Sequence, residues 1–201
     1  LAVDELGSLI DGDQIMAACG LDLLQKGKLS GETVVATVMS NLGLHRFVKE
    51  HGMKLECTNV GDRNVLERML EKGYAIGGEQ SGHMIFLEHA TTGDGELTAL
   101  QMLALLKESG KKASEVFGAC PRYPQVLINI PVANNDVKKA VMASAELAQA
   151  VAGEEEKLGD EGRVLVRPSG TEALMRVMVE AKTQQTAQEA AQRLADLIAK
   201  L

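Results

Sequence analysis

The chain has 201 residues, a formal net charge of −7, 45% hydrophobic residues and 2% aromatic ones. That length suits one large domain or two small ones around a sizeable core, which must be aliphatic because only two Tyr, three Phe and no Trp are available. The acidic balance excludes the basic footprint of a nucleic-acid binder, the few aromatics exclude base-stacking platforms, and no run reaches the ~20 apolar residues of a membrane span.

Cys19, Cys57 and Cys120 are odd in number and far apart, which suits small buried hydrophobes in a reducing, cytoplasmic setting rather than a disulfide framework. No secretory leader is expected. Residues 1–3 read as a strand met in mid-course and residues 4–8 as a turn, so the sequence is expected to be cut from a longer one.

Asp11 with Gln14 three residues on, and Ile10 able to staple against Ile15, marks a helix start. Asp11 and Asp13 lack the twelve-residue ligand pattern of a calcium loop, so capping is their reading. This helix is expected to reach about Gln25, where Lys26-Gly27-Lys28 ends it. Residues 33–39 are β-branched and nearly continuous, the pattern of a strand buried on both faces. A helix over 41–50 turns Leu44, Phe47 and Val48 inward, and a strand follows over 54–60. Gly61-Asp62-Arg63 opens a helix with Val65, Leu66, Met69 and Leu70 inward, and residues 74–76 form the next strand.

That strand runs into Gly77-Gly78-Glu79-Gln80-Ser81-Gly82-His83, followed by a second apolar run from Met84 to Leu87. Three glycines permit positive φ and close approach of a ligand. The carboxylate, amide, hydroxyl and imidazole between them suit the neighbouring hydroxyl and amino groups of a sugar. The same residues also suit a glycine-rich hairpin turn with polar tips. Strands alternating with helices imply a mostly parallel, three-layer α/β/α domain, in which ligands gather at the carboxyl ends of strands. Residues 61–63 and 77–83 both leave such ends.

Thr91-Thr92-Gly93-Asp94-Gly95 reads as a turn into a helix over 96–107, with a stripe through Leu97, Leu100, Leu103 and Leu106. A short helix over 114–117 leads to Cys120-Pro121-Arg122-Tyr123-Pro124, the best linker in the chain. Beyond it a half-buried strand over 125–132, one helix over about 136–152, an acidic solvated turn over 153–157 and strands over 162–167 and 174–182 are expected. A last helix carries Ala187, Ala190, Ala191, Leu194, Leu197, Ile198 and Leu201 on one stripe. The order β-α-β-β-α suits a small α+β domain with an antiparallel sheet and both helices on one face.

Arg167-Pro168-Ser169-Gly170-Thr171 combines guanidinium, two hydroxyls and a glycine amide, the donors a phosphate needs. Arg176 in the facing strand offers a second guanidinium. A capped hairpin turn whose arginines pair with surface carboxylates remains the alternative, and no Gly-Lys-Ser/Thr makes it a P-loop. One loop suited to a sugar and one to a phosphate suggest a sugar phosphate held between two domains.

These two loops resemble those of the α-D-phosphohexomutase superfamily: residues 77–83 its sugar-binding loop, and Arg167-Pro168-Ser169-Gly170-Thr171-Glu172 the phosphate loop of its fourth domain. The Glu-Gln-Ser form, residues 91–95 and residues 61–63 are most similar to the bacterial phosphoglucosamine mutases of that family. The resemblance covers essentially the whole chain. It implies residues 1–10 as the tail of a second domain, 11–118 as the third, 119–125 as a linker and 126–201 as the fourth. It further implies an isomerase that interconverts glucosamine 6-phosphate and glucosamine 1-phosphate by way of a phosphoserine, toward UDP-N-acetylglucosamine and the cell wall. The alternatives are a phosphomannomutase or phosphoglucomutase of the same family, or a non-catalytic sugar-phosphate binding module. The family's serine lies in its first domain and its Asp-rich Mg2+ loop in its second, so these residues are expected to bind without catalysing, to hold no metal, and to need the N-terminal domains as partners. By position, Glu79 and Ser81 would hold the sugar, and Arg167, Ser169, Gly170 and Thr171 the non-reacting phosphate, with Arg176 in support. His83 would serve as proton donor or acceptor, or else is a loop histidine bonded to backbone. Asp62 and Arg63 stand where some relatives carry a histidine, and Ala173 replaces a proline usual after the phosphate loop. Cys57, His51 and His89 lack metal-ligand spacing.

Overall fold

The first helix, α1 (Gly12–Gln25), starts on the expected capping chemistry. Asp11 Oδ1 accepts from the Gln14 N–H at 3.1 Å and Gln14 Oε1 accepts from the Asp11 N–H at 3.2 Å, so two orphan donors are satisfied reciprocally. Ile10 and Ile15 on either side are both buried. Before the helix, the computed structural model, which describes residues 1–201, places a short antiparallel hairpin of β1 (Ala2–Val3) and β2 (Leu9–Ile10); β2 is absent from the sequence reading.

Contacts divide the chain into two units, Leu1–Arg122 and Tyr123–Leu201. In the first, β3 (Thr33–Thr37), β4 (Lys54–Thr58), β5 (Ile76–Gly78) and β6 (Met84–Phe86) form one sheet in the order β4-β3-β5-β6. The first three run parallel and β6 returns antiparallel to β5, with Ile76 opposite Phe86 and Gly78 opposite Met84. All five residues of β3 are buried, because helices cover both faces. Val34, Ala36 and Ile76 pack with α1 and with Leu44, Phe47 and Val48 of α2 (Leu42–Glu50). Val35 and Ile85 point the other way, onto Val65 and Met69 of α3 (Asp62–Lys72). This is a mostly parallel α/β/α domain of three layers.

Three positions on the expected apolar stripes miss the core. Leu70 of α3 is exposed, and so are Leu100 and Leu103 of α4 (Gly95–Ser109). The buried side of α4 carries Thr98 and Met102, with Leu97, Leu105 and Leu106 partly covered. Leucines surround this helix so completely that periodicity alone does not choose the face; contact with α1 and β6 does. A one-turn helix α5 (Ala113–Phe117) follows, its Phe117 fully buried.

The second unit is α+β, with β7 (Gln125–Pro131), α6 (Asn135–Met142), α7 (Ala145–Leu158), β8 (Gly162–Pro168), β9 (Leu174–Ala181) and α8 (Gln184–Ile198). Its three strands form an antiparallel sheet in the order β7-β9-β8. Ala187, Ala190 and Ala191 of α8 are fully buried, and such small side chains let the helix lie close on β7 and β9. The expected single helix over 136–152 is two, so the order is β-α-α-β-β-α. It breaks at Ala143-Ser144, where Ser144 Oγ accepts from the Leu147 N–H and caps α7. Residues 153–157 are the end of α7 rather than a solvated turn, and Glu154 is buried against Arg193 of α8 through paired bonds of 2.9 and 2.8 Å. Leu201 lies beyond α8 and is exposed.

Candidate functional site

In the first unit the site residues cap the β5–β6 hairpin. The Glu79 N–H donates to His83 O at 2.9 Å and the Gly82 N–H to Glu79 O at 2.9 Å, closing a tight turn. Only Gly82 of the three glycines adopts positive φ, at 105°. Gly77 and Gly78 are strand residues, glycine for want of room. A Cβ on Gly77 would lie 2.7 Å from Met69 Sδ and 2.9 Å from Val35 O; one on Gly78 would lie 2.4 Å from His83 O. The glycines therefore serve packing more than backbone turning, which corrects the sequence reading.

Glu79 is the hub of this loop. Its side chain is only 14% exposed. Oε1 accepts from the Gly61 N–H, the N-cap position of α3, at 2.7 Å, a favourable place for a carboxylate at a helix N-terminus. Oε2 accepts from Ser81 Oγ at 3.3 Å and lies 3.7 Å from His83 Nδ1. An ionised carboxylate accepts about four hydrogen bonds, so Glu79 keeps acceptor capacity toward a ligand. Ser81 and His83 are exposed, His83 at 65%. The Gly12 N–H at the start of α1 donates to Gln80 O at 3.0 Å, and a Cβ on Gly12 would fall 2.0 Å from Glu79 O. Sequence reasoning missed Gly12 as a part of this loop; a glycine just inside a capping box, where no cap needs one, was the available signal. Asp62 and Arg63 turn elsewhere, Asp62 accepting from the Arg63 N–H and Arg63 pairing with Glu67 at 2.8 Å.

In the second unit the candidate residues lie near the end of β8, near the start of β9 and in the connection between them. Arg167 and Arg176 are direct cross-strand partners. Like charges opposite one another destabilise a sheet unless something offsets them. Arg176 is partly offset by Glu172 at 2.6 Å, yet its Nε is buried with no partner. Arg167 pairs with no carboxylate, and its burial, together with the facing Arg176 charge, holds its pKa below the usual arginine value. The loop between them is held by the Ser169 N–H donating to Leu174 O at 2.9 Å and the Glu172 N–H to Ser169 Oγ at 3.3 Å. Ser169 is thus buried, while Gly170 and Thr171 are exposed and their N–H groups donate to no protein acceptor. Lys138 of α6, which the sequence reading passed over, is buried against the loop and donates to Ser169 O at 2.8 Å and Glu172 O at 2.5 Å. This arrangement can bind an anion: one unpaired guanidinium, a second beside it, and two open backbone donors.

No three His, Cys, Asp or Glu side chains converge to hold a metal ion. Asp11 is spent on the cap of α1 and lies 3.7 Å from Arg122, and Asp13 Oδ2 accepts from the Asn41 N–H at 2.7 Å, so this acidic pair does not fit a magnesium site. No helix is long and apolar enough to cross a membrane.

Comparison with known proteins gives a consistent result. Residues 11–123 match the alpha/beta/alpha domain III of phosphoglucomutase/phosphomannomutase, and residues 127–197 match its C-terminal domain. The chain is 53% identical over 199 residues to phosphoglucosamine mutase of Saccharopolyspora erythraea, which spans 99% of this chain and 44% of that protein. To phosphoglucosamine mutase of Ruminiclostridium cellulolyticum it is 58% identical over 183 residues, covering 90% and 40% respectively. The chain therefore spans less than half the length of these curated relatives. Among solved structures, the N-acetylphosphoglucosamine mutase of Aspergillus fumigatus in complex with GlcNAc-6P and magnesium superposes with a TM-score of 0.80 over 98% of this chain and 48% of that one. At 22% identity that likeness shows the fold.

Proposed function

Since the chain belongs to the phosphoglucomutase/phosphomannomutase family, as its domain III and C-terminal domain, we propose that it is the C-terminal part of a phosphoglucosamine mutase. The whole enzyme interconverts glucosamine 6-phosphate and glucosamine 1-phosphate: a phosphoserine gives its phosphoryl group to the sugar, the bisphosphate reorients, and the other phosphate returns to the serine. We assign residues 1–10 to the tail of the preceding domain, 11–118 to the sugar-binding domain, 119–125 to a linker and 126–201 to the phosphate-binding domain. Catalysis of this kind depends on positioning and charge neutralisation. The serine and the magnesium ligands belong to the N-terminal domains in this reading, so residues 1–201 bind ligand without turning it over.

Within the chain, Glu79 and Ser81 bind sugar hydroxyl or amino groups, and the fixed carboxylate of Glu79 supports that role. The exposure of His83 and its nearness to Glu79 support a part as proton donor or acceptor. Arg167, Ser169, Gly170 and Thr171 bind the phosphate that is not being transferred, and Arg176 supports them. The single observation that carries the reading is the Arg167–Arg176 pair, two facing guanidiniums of which one lacks any carboxylate.

Calorimetric titration of the 201-residue chain tests it. Glucosamine 6-phosphate should bind more tightly than glucose 6-phosphate, and Arg167→Ala should weaken both by at least ~1.5 kcal/mol, the lower end for a hydrogen bond to a charged group. Equal heats from wild type and Arg167→Ala would remove the phosphate site from the reading. Equal affinity for the two sugars would point instead to a phosphomannomutase or phosphoglucomutase branch.

A further inference from the structure

Lys138 differs from the two arginines at the phosphate loop. It is a buried lysine whose ammonium meets no carboxylate and is spent on two backbone carbonyls, Ser169 O at 2.8 Å and Glu172 O at 2.5 Å. In a trans peptide unit the C=O and the following N–H lie in one plane and point in opposite directions, and this chain has no cis peptide. Drawing Ser169 O toward Lys138 therefore turns the Gly170 N–H away from it. That N–H has no protein acceptor. A cavity of about 550 Å³ borders α6 and the loop, lined in part by Asn135, Met142, Pro168 and Gly170. On this side the two hydrogen bonds of the Lys138 ammonium tie the loop to α6. A compact head with three donors suits two carbonyls better than a planar fork does.

We infer that Lys138 is a positioning residue for anion binding, holding the Ser169 carbonyl so that the Gly170 N–H is aimed at a phosphate. This rests on the phosphate-binding reading of residues 167–171 given above. It adds a part for a helix residue that touches no ligand itself.

The test is an amide NMR titration of the 201-residue chain with inorganic phosphate, run on wild type, Lys138→Met and Arg167→Ala. In wild type the Gly170 amide signal should move as phosphate saturates, along the same curve as the overall binding. Lys138→Met should weaken phosphate about tenfold, the worth of one well-aimed charge-assisted bond, and should abolish the Gly170 shift. A Lys138→Met protein that unfolds at lower temperature yet binds phosphate like wild type, with the Gly170 shift intact, would show a purely structural lysine and overturn the inference. Should that variant not fold, wild type still decides, because a Gly170 amide that stays still at saturation is equally fatal. If wild type binds no phosphate, or Arg167→Ala binds as well as wild type, the phosphate reading itself is what fails.

Discussion

Glu154 shows how much one buried charge depends on its neighbour. In sequence it belongs to an acidic run, Gly153-Glu154-Glu155-Glu156-Lys157, with nothing to separate it from the glutamates that follow. In the fold its side chain is 7% exposed and forked by Arg193, with Lys157 at 2.9 Å. The Arg193 hydrogen bonds, ahead of the smaller contribution from Lys157, hold its pKa down to about 2. Because that lies below the ordinary value of 4.5, the ionised group stabilises the fold above pH 4.5, and this contribution is lost as pH falls through about 2. Urea unfolding between pH 5 and pH 2 should therefore show a loss of stability that Glu154→Gln lacks. At pH 7 the same substitution should cost about 1–2 kcal/mol, since Arg193 stays half in water and is not stranded. An identical acid limb in both proteins would mean that the pair contributes nothing. Two of the three thiols are the expected small hydrophobes: Cys19 is pushed up to about 12 and Cys120 is raised too, chiefly by desolvation, whereas Cys57, expected to be buried with them, is exposed.

At the scale of elements, most helix starts were legible, as were the buried faces of α2 and α8, but the face of α4 was not. Asp11, Asn41, Asp94 and Thr183 each cap the helix that follows, because capping joins residues two or three apart and needs no distant partner. The face of α4 is a different matter, with leucine at 97, 100, 103, 105 and 106. Leu100→Lys should accordingly leave stability within about 0.5 kcal/mol, whereas Met102→Ala should cost ~2–4 kcal/mol. Chemical denaturation of the two variants checks the pair, and a Leu100→Lys protein that unfolds readily would contradict the observed face. Gly12 joins α1 to the Glu79–His83 loop across a gap too small for a methyl group. Gly12→Ala should cost ~1–3 kcal/mol by forcing backbone apart. Because the displaced atoms are those of Glu79 and Gln80, affinity for glucosamine 6-phosphate should fall as well, while inorganic phosphate binding stays as in wild type. Parallel titrations with the two ligands measure that split.

At the scale of the molecule, each unit has a core of its own, aliphatic and alanine-rich in the second. A unit with its own core is expected to fold alone. Residues 123–201 expressed by themselves should give a cooperative unfolding transition and keep the inorganic phosphate affinity of the whole chain. A disordered amide spectrum from that piece would refute it. The fold class, every strand except β2, most helix starts and the kinds of side chain in the two polar loops were legible along the chain, since caps, alternation and turn chemistry act over a few residues. What those loops are fastened to emerges from the folded chain alone: Glu79 to the N-terminus of α3, Gln80 to α1, and Ser169 to Lys138. The reason is distance along the chain. These bonds join residues 18 to 68 positions apart in sequence, and no local pattern encodes which peptide group a distant donor will find.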